Sequence, residues 1–128
     1  MRAYVAAKWS PSTIARAREV QAQLAAAGHV ITYDWTADEL PMNATQAIND
    51  MTGVLTADVF VLLAEEDVAY CGAVAELGMA LASGIPVYVL GDALDDRCIF
   101  LKLAQIRREE QFQTDLIEGM IGAFHDRG

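Results

Sequence analysis

The sequence predicts an α/β fold of three layers, doubly wound around a parallel sheet of four to five strands. Three observations predict it. Strand-like and helix-like segments alternate along the whole chain. Two strand candidates, "DVFVLLA" and "IPVYVLG", are continuous apolar runs, the mark of strands covered on both faces. No linker, repeat or low-complexity tract breaks the alternation, so residues 1–128 read as one domain.

Each element has its own signal. "RAYVAA" reads as a short buried first strand. "SPSTIARAREVQAQLAAAG" reads as a helix, with Ser10 as N-cap, Pro11 at the first helical position and Gly28 just past the end. Ile14, Ala17, Val20 and Leu24 form its buried stripe. "HVITYDW" is the second strand. "MNATQAINDMTGVLTA" is the second helix, with Ala44, Ile48, Met51 and Leu55 on one apolar face. "DVFVLLA" is the third strand, "DVAYCGAVAELGMALASG" the third helix and "IPVYVLG" the fourth strand. "CIFLKLAQIRREEQF" is expected to be loop with a short edge strand near Ile106. "TDLIEGMIGAFHD" closes the chain as a helix, with Leu116, Met120 and Phe124 inward.

Composition narrows the function. Apolar residues make up 54% and charged residues 21%, which excludes a disordered chain. The net charge is −9 and the nine basic residues are scattered, so no basic stripe exists for nucleic acid, and anionic membranes repel the chain. No apolar run approaches the roughly 20 residues that span a bilayer. The start "MRAYVAAKW" is too short and too quickly polar for a signal peptide. Cys71 and Cys98 lack metal or redox spacing and read as free thiols of a cytoplasmic protein.

In open parallel sheets, ligands bind outside the carboxyl ends of the strands at the switch point. That places the loops after Val5, Trp35 and Leu63 at the site. The third leads into a helix whose middle holds one carboxylate, Glu76, among small and apolar residues. Glu76 reads either as a half-exposed residue of an amphipathic helix or as a buried acid with a task. Gly72, Ala80 and Ser83 are expected on its small-residue face, with Val74, Leu77 and Leu81 toward the sheet. Asp50 lies inside a helix, where aspartate is a poor former, and is either a surface residue or a side chain aimed at the cleft. Tyr4 sits on the first strand and needs a partner for its hydroxyl. Trp9 and Trp35 end adjacent strands, as core or as a stacking wall. Two carboxylates beside an aromatic wall suit cleavage of a glycosidic bond to a flat group.

From Tyr4 to about Gly91 the sequence resembles the nucleoside 2-deoxyribosyltransferase superfamily, including the 2'-deoxynucleoside 5'-phosphate N-hydrolases. The segments that carry the resemblance are "AYVAAKW", "IND" followed by "ADVFVLLAEED", and "CGAVAELGMALASGIPVYVL". The resemblance implies a Rossmann/flavodoxin-like sheet and Glu76 as the nucleophile that takes deoxyribose at C1'. It implies Asp50 as the acid that protonates the departing base, and Tyr4 as the hydroxyl that orients Glu76. Trp9 corresponds to an aromatic residue of the base pocket, and Gly72 to a position that lets the sugar approach. No metal or organic cofactor is implied. The implied partners are a nucleoside or nucleotide, a nucleobase, and further copies of the chain in a homodimer or larger homo-oligomer. The small-residue face of the third helix and the last helix are the expected packing surfaces.

The sequence departs from the pattern at Tyr70, six residues before Glu76. Transferases of this type carry an Asp there that grips the sugar hydroxyls, and nucleotide hydrolases a phosphate-binding Ser. Asp67, one turn away, reads either as a substitute or as a helix N-cap. The leading expectation is cleavage of the N-glycosidic bond of 2'-deoxynucleosides, with transfer to a base or to water. One rival is hydrolysis of 2'-deoxynucleoside 5'-monophosphates, with Lys8, Ser10, Ser12 and Arg16 as the phosphate grip. The other is a binding domain for nucleosides or nucleotides without catalysis.

Overall fold

Parallel pairing organises the chain. In a computed structural model that describes residues 1–66 and 70–123, five strands form one sheet in the order β2-β1-β3-β4-β5. They are β1 (Arg2–Ala6), β2 (Val30–Ile31), β3 (Val59–Leu63), β4 (Val87–Leu90) and β5 (Arg107–Arg108), and every neighbouring pair is parallel. The central strands carry the predicted signature: every residue of β3 and β4 is buried, as are Ala3 to Ala6 of β1. The sequence order reverses between β1 and β3, which fixes the switch point there.

Helix α1 (Pro11–Ala26) starts as its sequence demands. Ser10 caps it, its side chain accepting from the Thr13 amide while Thr13 reciprocates, and Pro11 opens the first turn. Ala17, Val20 and Leu24 are buried, and Ile14 packs beside them. Helix α3 (Cys71–Ala82) packs through Ala73, Leu77 and Ala80, three residues at helical spacing. Ala80 therefore belongs to the sheet-facing stripe and not to an open small-residue face, while Val74 and Leu81 are only half-buried.

Three expectations need correction. The second strand is two residues long, and Trp35 opens a 3-10 turn, Trp35–Ala37, whose first amides are capped by Asp34. Helix α2 (Ala44–Leu55) has the predicted span, but its face is reversed: Ile48, Met51 and Leu55 are exposed, Ala44 likewise, and Gly53 and Val54 are buried. The last helix, α4 (Glu109–Glu118), begins five residues before the predicted start at Thr114 and stops at Gly119, whose φ of 68° is left-handed. Met120 is exposed, and Phe124 lies outside the described residues. Phe112 and Asp115 are the buried residues of α4. The Tyr88 hydroxyl donates to Asp115 at 2.5 Å and accepts from the Gly122 amide at 3.0 Å, which ties α4 and the segment after it to β4.

Among the described residues, no helix is long and apolar enough to cross a membrane. Both cysteines are free thiols, Cys71 exposed and Cys98 buried.

Candidate active site

At the carboxyl end of β1, between α2 and the first turns of α3, the fold opens into a cavity of about 490 Å³. Its floor is Tyr4, the middle residue of β1. The ring is fully buried and stacks on Phe60 of β3, with centroids 6.0 Å apart and planes 13° from parallel. That leaves its hydroxyl as the one polar tip to satisfy, and it donates to Glu76 Oε2 of α3 at 2.5 Å. A residue of the buried sheet thus fixes a carboxylate on a helix seventy-two positions later.

Glu76 sits one position before the buried Leu77, so its side chain leaves α3 along the margin of the sheet-facing stripe and lines the cavity. Burial raises its pKa to about 7; the Tyr4 hydrogen bond opposes the rise and the charge of Asp50 adds to it. Tyr4 is held far above the ordinary phenol range, first by burial and then by the neighbouring Glu76, so it stays a donor. Asp50 reaches the same cavity from α2. Its pKa is raised to about 6 by burial and by the charge of Asp38, with the nearby Tyr4 hydroxyl acting the other way. Asp50 Oδ1 is buried with no hydrogen-bond partner among the described residues. A buried acceptor left open in a cavity is either protonated or held for a ligand.

Gly53 explains how α2 comes so close. A Cβ at that position would lie 2.9 Å from the Tyr4 ring and 2.9 Å from Tyr33 Cβ, closer than side chains tolerate. Glycine lets the helix settle on the tyrosine, and Asp50 sits one turn earlier on that helix.

The remaining candidates separate. Lys8, Trp9, Trp35 and Gly72 line the cavity. Trp9 is 37% exposed and stands at the rim, whereas Trp35 is 6% exposed and donates its indole N–H to the Val5 carbonyl. One tryptophan is thus anchored in the core and the other is available to a ligand. A Cβ on Gly72 would meet nothing within 4 Å, so that stretch of wall is open. Tyr70 does not line the cavity: it is buried at the start of α3, and its hydroxyl accepts from the Glu66 amide at 3.1 Å. Asp67 lies outside the described residues.

Of the phosphate grip considered from the sequence, Lys8 lines the cavity, and the other three residues are engaged elsewhere. Ser10 caps α1, and Ser12 donates to Glu66 at 2.6 Å. Arg16 pairs with Glu65 at 3.0 Å and with Glu109 at 3.3 Å.

Sequence reasoning missed the residues contributed by the segment after β2: Asp38, Glu39, Leu40, Met42, Asn43 and Gln46 also line the cavity. Their one signal was position, since this loop was expected at the ligand edge of the sheet. Asp38 accepts the hydroxyl of Tyr33, and that contact raises the Tyr33 pKa. Asn43 and Gln46 cap α2 reciprocally: the Asn43 side chain accepts from the Gln46 amide, and Gln46 accepts from the Asn43 amide. No group of three or more His, Cys, Asp or Glu side chains fit to hold a metal occurs among the described residues.

Two comparisons place the chain among known proteins. The family model described as nucleoside 2-deoxyribosyltransferase matches residues 3–117. Among solved structures, the chain is similar to a conserved protein from Enterococcus faecalis V583 at 18% identity, with a TM-score of 0.60 over 92% of this chain and 86% of that one, a likeness of fold. No curated protein matches the chain.

Proposed function

The chain belongs to the nucleoside 2-deoxyribosyltransferase family, and from that premise we propose that its cleft breaks the N-glycosidic bond of 2'-deoxynucleosides through a deoxyribosyl ester on Glu76. The sugar then passes to another nucleobase or to water. The observation that carries this reading is the Tyr4 hydroxyl, 2.5 Å from Glu76 Oε2 in a cavity that Asp50 also lines.

The proposed reaction has two displacements. A Glu76 oxygen bonds to C1' as the bond from C1' to the base nitrogen breaks, and the electron pair leaves with the base. Asp50 gives that nitrogen, or another on the same ring, its proton and becomes a carboxylate. An incoming base N–H or a water then gives its proton to Asp50 while its nitrogen or oxygen bonds C1', and Glu76 departs as carboxylate. The same intermediate serves both outcomes, and the share of each depends on how well a seated base excludes water. The scheme draws on no cofactor.

Protonation favours work near neutrality. Glu76 must be ionised and Asp50 protonated, and their pKa values are raised to about 7 and about 6. In the empty site Glu76 holds its proton more tightly, so the competent arrangement is the minor one when the pair shares a single proton. A base seated against Asp50 excludes water there and moves the proton toward it.

A nucleoside suits the cleft better than its 5'-phosphate. A dianion needs several donors; Lys8 lines the cavity, but Ser12 and Arg16 are committed to Glu66, Glu65 and Glu109. Assembly of at least two copies belongs to the same proposal, with the outward apolar stripe Ile48, Met51 and Leu55 on α2 as the surface to be covered. Sedimentation as a lone monomer at micromolar concentration would remove this part.

The test of the chemistry is an acid quench of the protein with a 2'-deoxynucleoside, followed by peptide mass spectrometry. A deoxyribose adduct is expected on the peptide that holds Glu76. Glu76→Ala is expected to lower release of free base by about a thousandfold or more. Release at the parental rate would exclude Glu76 as nucleophile. Nucleoside binding without any base release in the parent would make the cleft a sensor.

A further inference from the structure

The chemistry just proposed leaves Asp38 unused, although it lines the cavity. We propose that Asp38 reads the leaving base, so that the site favours 2'-deoxynucleosides whose base carries an exocyclic amino group over counterparts with a carbonyl at the same place. This inference rests on the reading of the cleft as a deoxynucleoside site.

Asp38 follows directly on the 3-10 turn Trp35–Ala37. Its Oδ1 accepts the Tyr33 hydroxyl, which holds the side chain in place. Oδ2 has no protein donor among the described residues and remains open to a ligand. Its location along the cleft follows from the contacts: Tyr33, which donates to Asp38, lies against Gly53 of α2, one turn after Asp50, the acid at the leaving-base end, and the charge of Asp38 acts on Asp50. Asp38 therefore belongs to the base end of the cavity.

The two amide side chains on the same stretch of wall have little left to donate. Gln46 spends its amide nitrogen on the Glu39 carbonyl and its oxygen on the Asn43 amide. Asn43 has its oxygen taken by the Gln46 amide and keeps only its NH2. An ionised carboxylate only accepts. An amino group on adenine or cytosine presents N–H to it. A carbonyl at that place sets lone pairs against lone pairs in a desolvated cleft, the kind of mismatch that rejects a ligand.

Two isosteric pairs test the idea: deoxyadenosine against deoxyinosine, and deoxycytidine against deoxyuridine, each scored by kcat/KM for base release. The amino member of at least one pair is expected to react about tenfold faster or more. In Asp38→Asn, whose amide both donates and accepts, the ratio is expected to fall to within about threefold, largely through a faster carbonyl substrate. Equal rates within both pairs of the parent would overturn the inference. So would a preference for the carbonyl members, which would pass the role to the NH2 of Asn43. A ratio unchanged in Asp38→Asn would overturn the role of Asp38, and the parental ratios stand as a test even if that variant does not fold. Release of no base from any of the four, with no adduct on Glu76, would instead sink the reading on which this inference rests.

Discussion

Three side chains carry the proposed chemistry, and their couplings fix its response to pH. Tyr4 donates to Glu76 and holds its pKa down, while burial raises Glu76 to about 7 and Asp50 to about 6. Below these values no carboxylate is free to attack; above them no proton is left for the base. The expected kcat/KM profile is a bell centred between pH 6 and 7. Tyr4→Phe removes the donor from Glu76, so the alkaline flank, which follows the higher of the two values, should move to higher pH and the peak should drop by about tenfold or more. A profile that keeps its alkaline flank in Tyr4→Phe would deny the hydroxyl its orienting role. Glu76 stood out in the sequence as a carboxylate among glycines and alanines, a feature that by itself also fitted a half-exposed helix residue, and the family resemblance gave it a role. Asp38 did not stand out, because an aspartate in a polar loop conflicts with nothing.

The elements differ in how far periodicity could describe them. The strands were plain, because burial on both faces leaves no polar positions in β3 and β4. Helix α2 shows the limit. Periodicity separated Ile48, Met51 and Leu55 from the polar residues correctly, but it cannot say which face turns inward. In α2 the polar side, with Gln46 and Asp50, borders a cavity, and the close approach to Tyr4 of β1 is made by a residue without a side chain. Hydrophobic patterning has no symbol for an inward glycine, yet Gly53 is what brings Asp50 to the site. Helix α4 was misplaced for a similar reason. Its first turn is Glu109 and Glu110, acids that suit a helix N-terminus but read as loop polarity, and its buried face contains Asp115, which accepts from the Tyr88 hydroxyl of a distant strand and from Gln111.

At the scale of the molecule, the switch point between β1 and β3 brings Tyr4, Asp50 and Glu76 together, and the folded state is destabilised by doing so. Glu76 titrates near 4.5 when unfolded and near 7 when folded. Below about pH 4.5 it is protonated in both states and contributes no penalty. As pH rises from 4.5 toward 7 the unfolded chain releases the proton and the folded chain keeps it, so stability is lost across that window. Above pH 7 the loss levels off at about 3 kcal/mol as an upper figure, a large share of the stability of a domain this size. Asp50, raised from 3.8 to about 6, acts in the same direction. Glu76→Gln is neutral at every pH and keeps an acceptor for the Tyr4 hydroxyl. It should therefore be inactive yet more stable than the parent at pH 8, by about 2–3 kcal/mol in urea unfolding. The two curves should converge near pH 4.5. Equal stability at pH 8 would mean that the carboxylate is fully compensated in the fold, and the raised acidity on which the bell-shaped profile depends would fail with it.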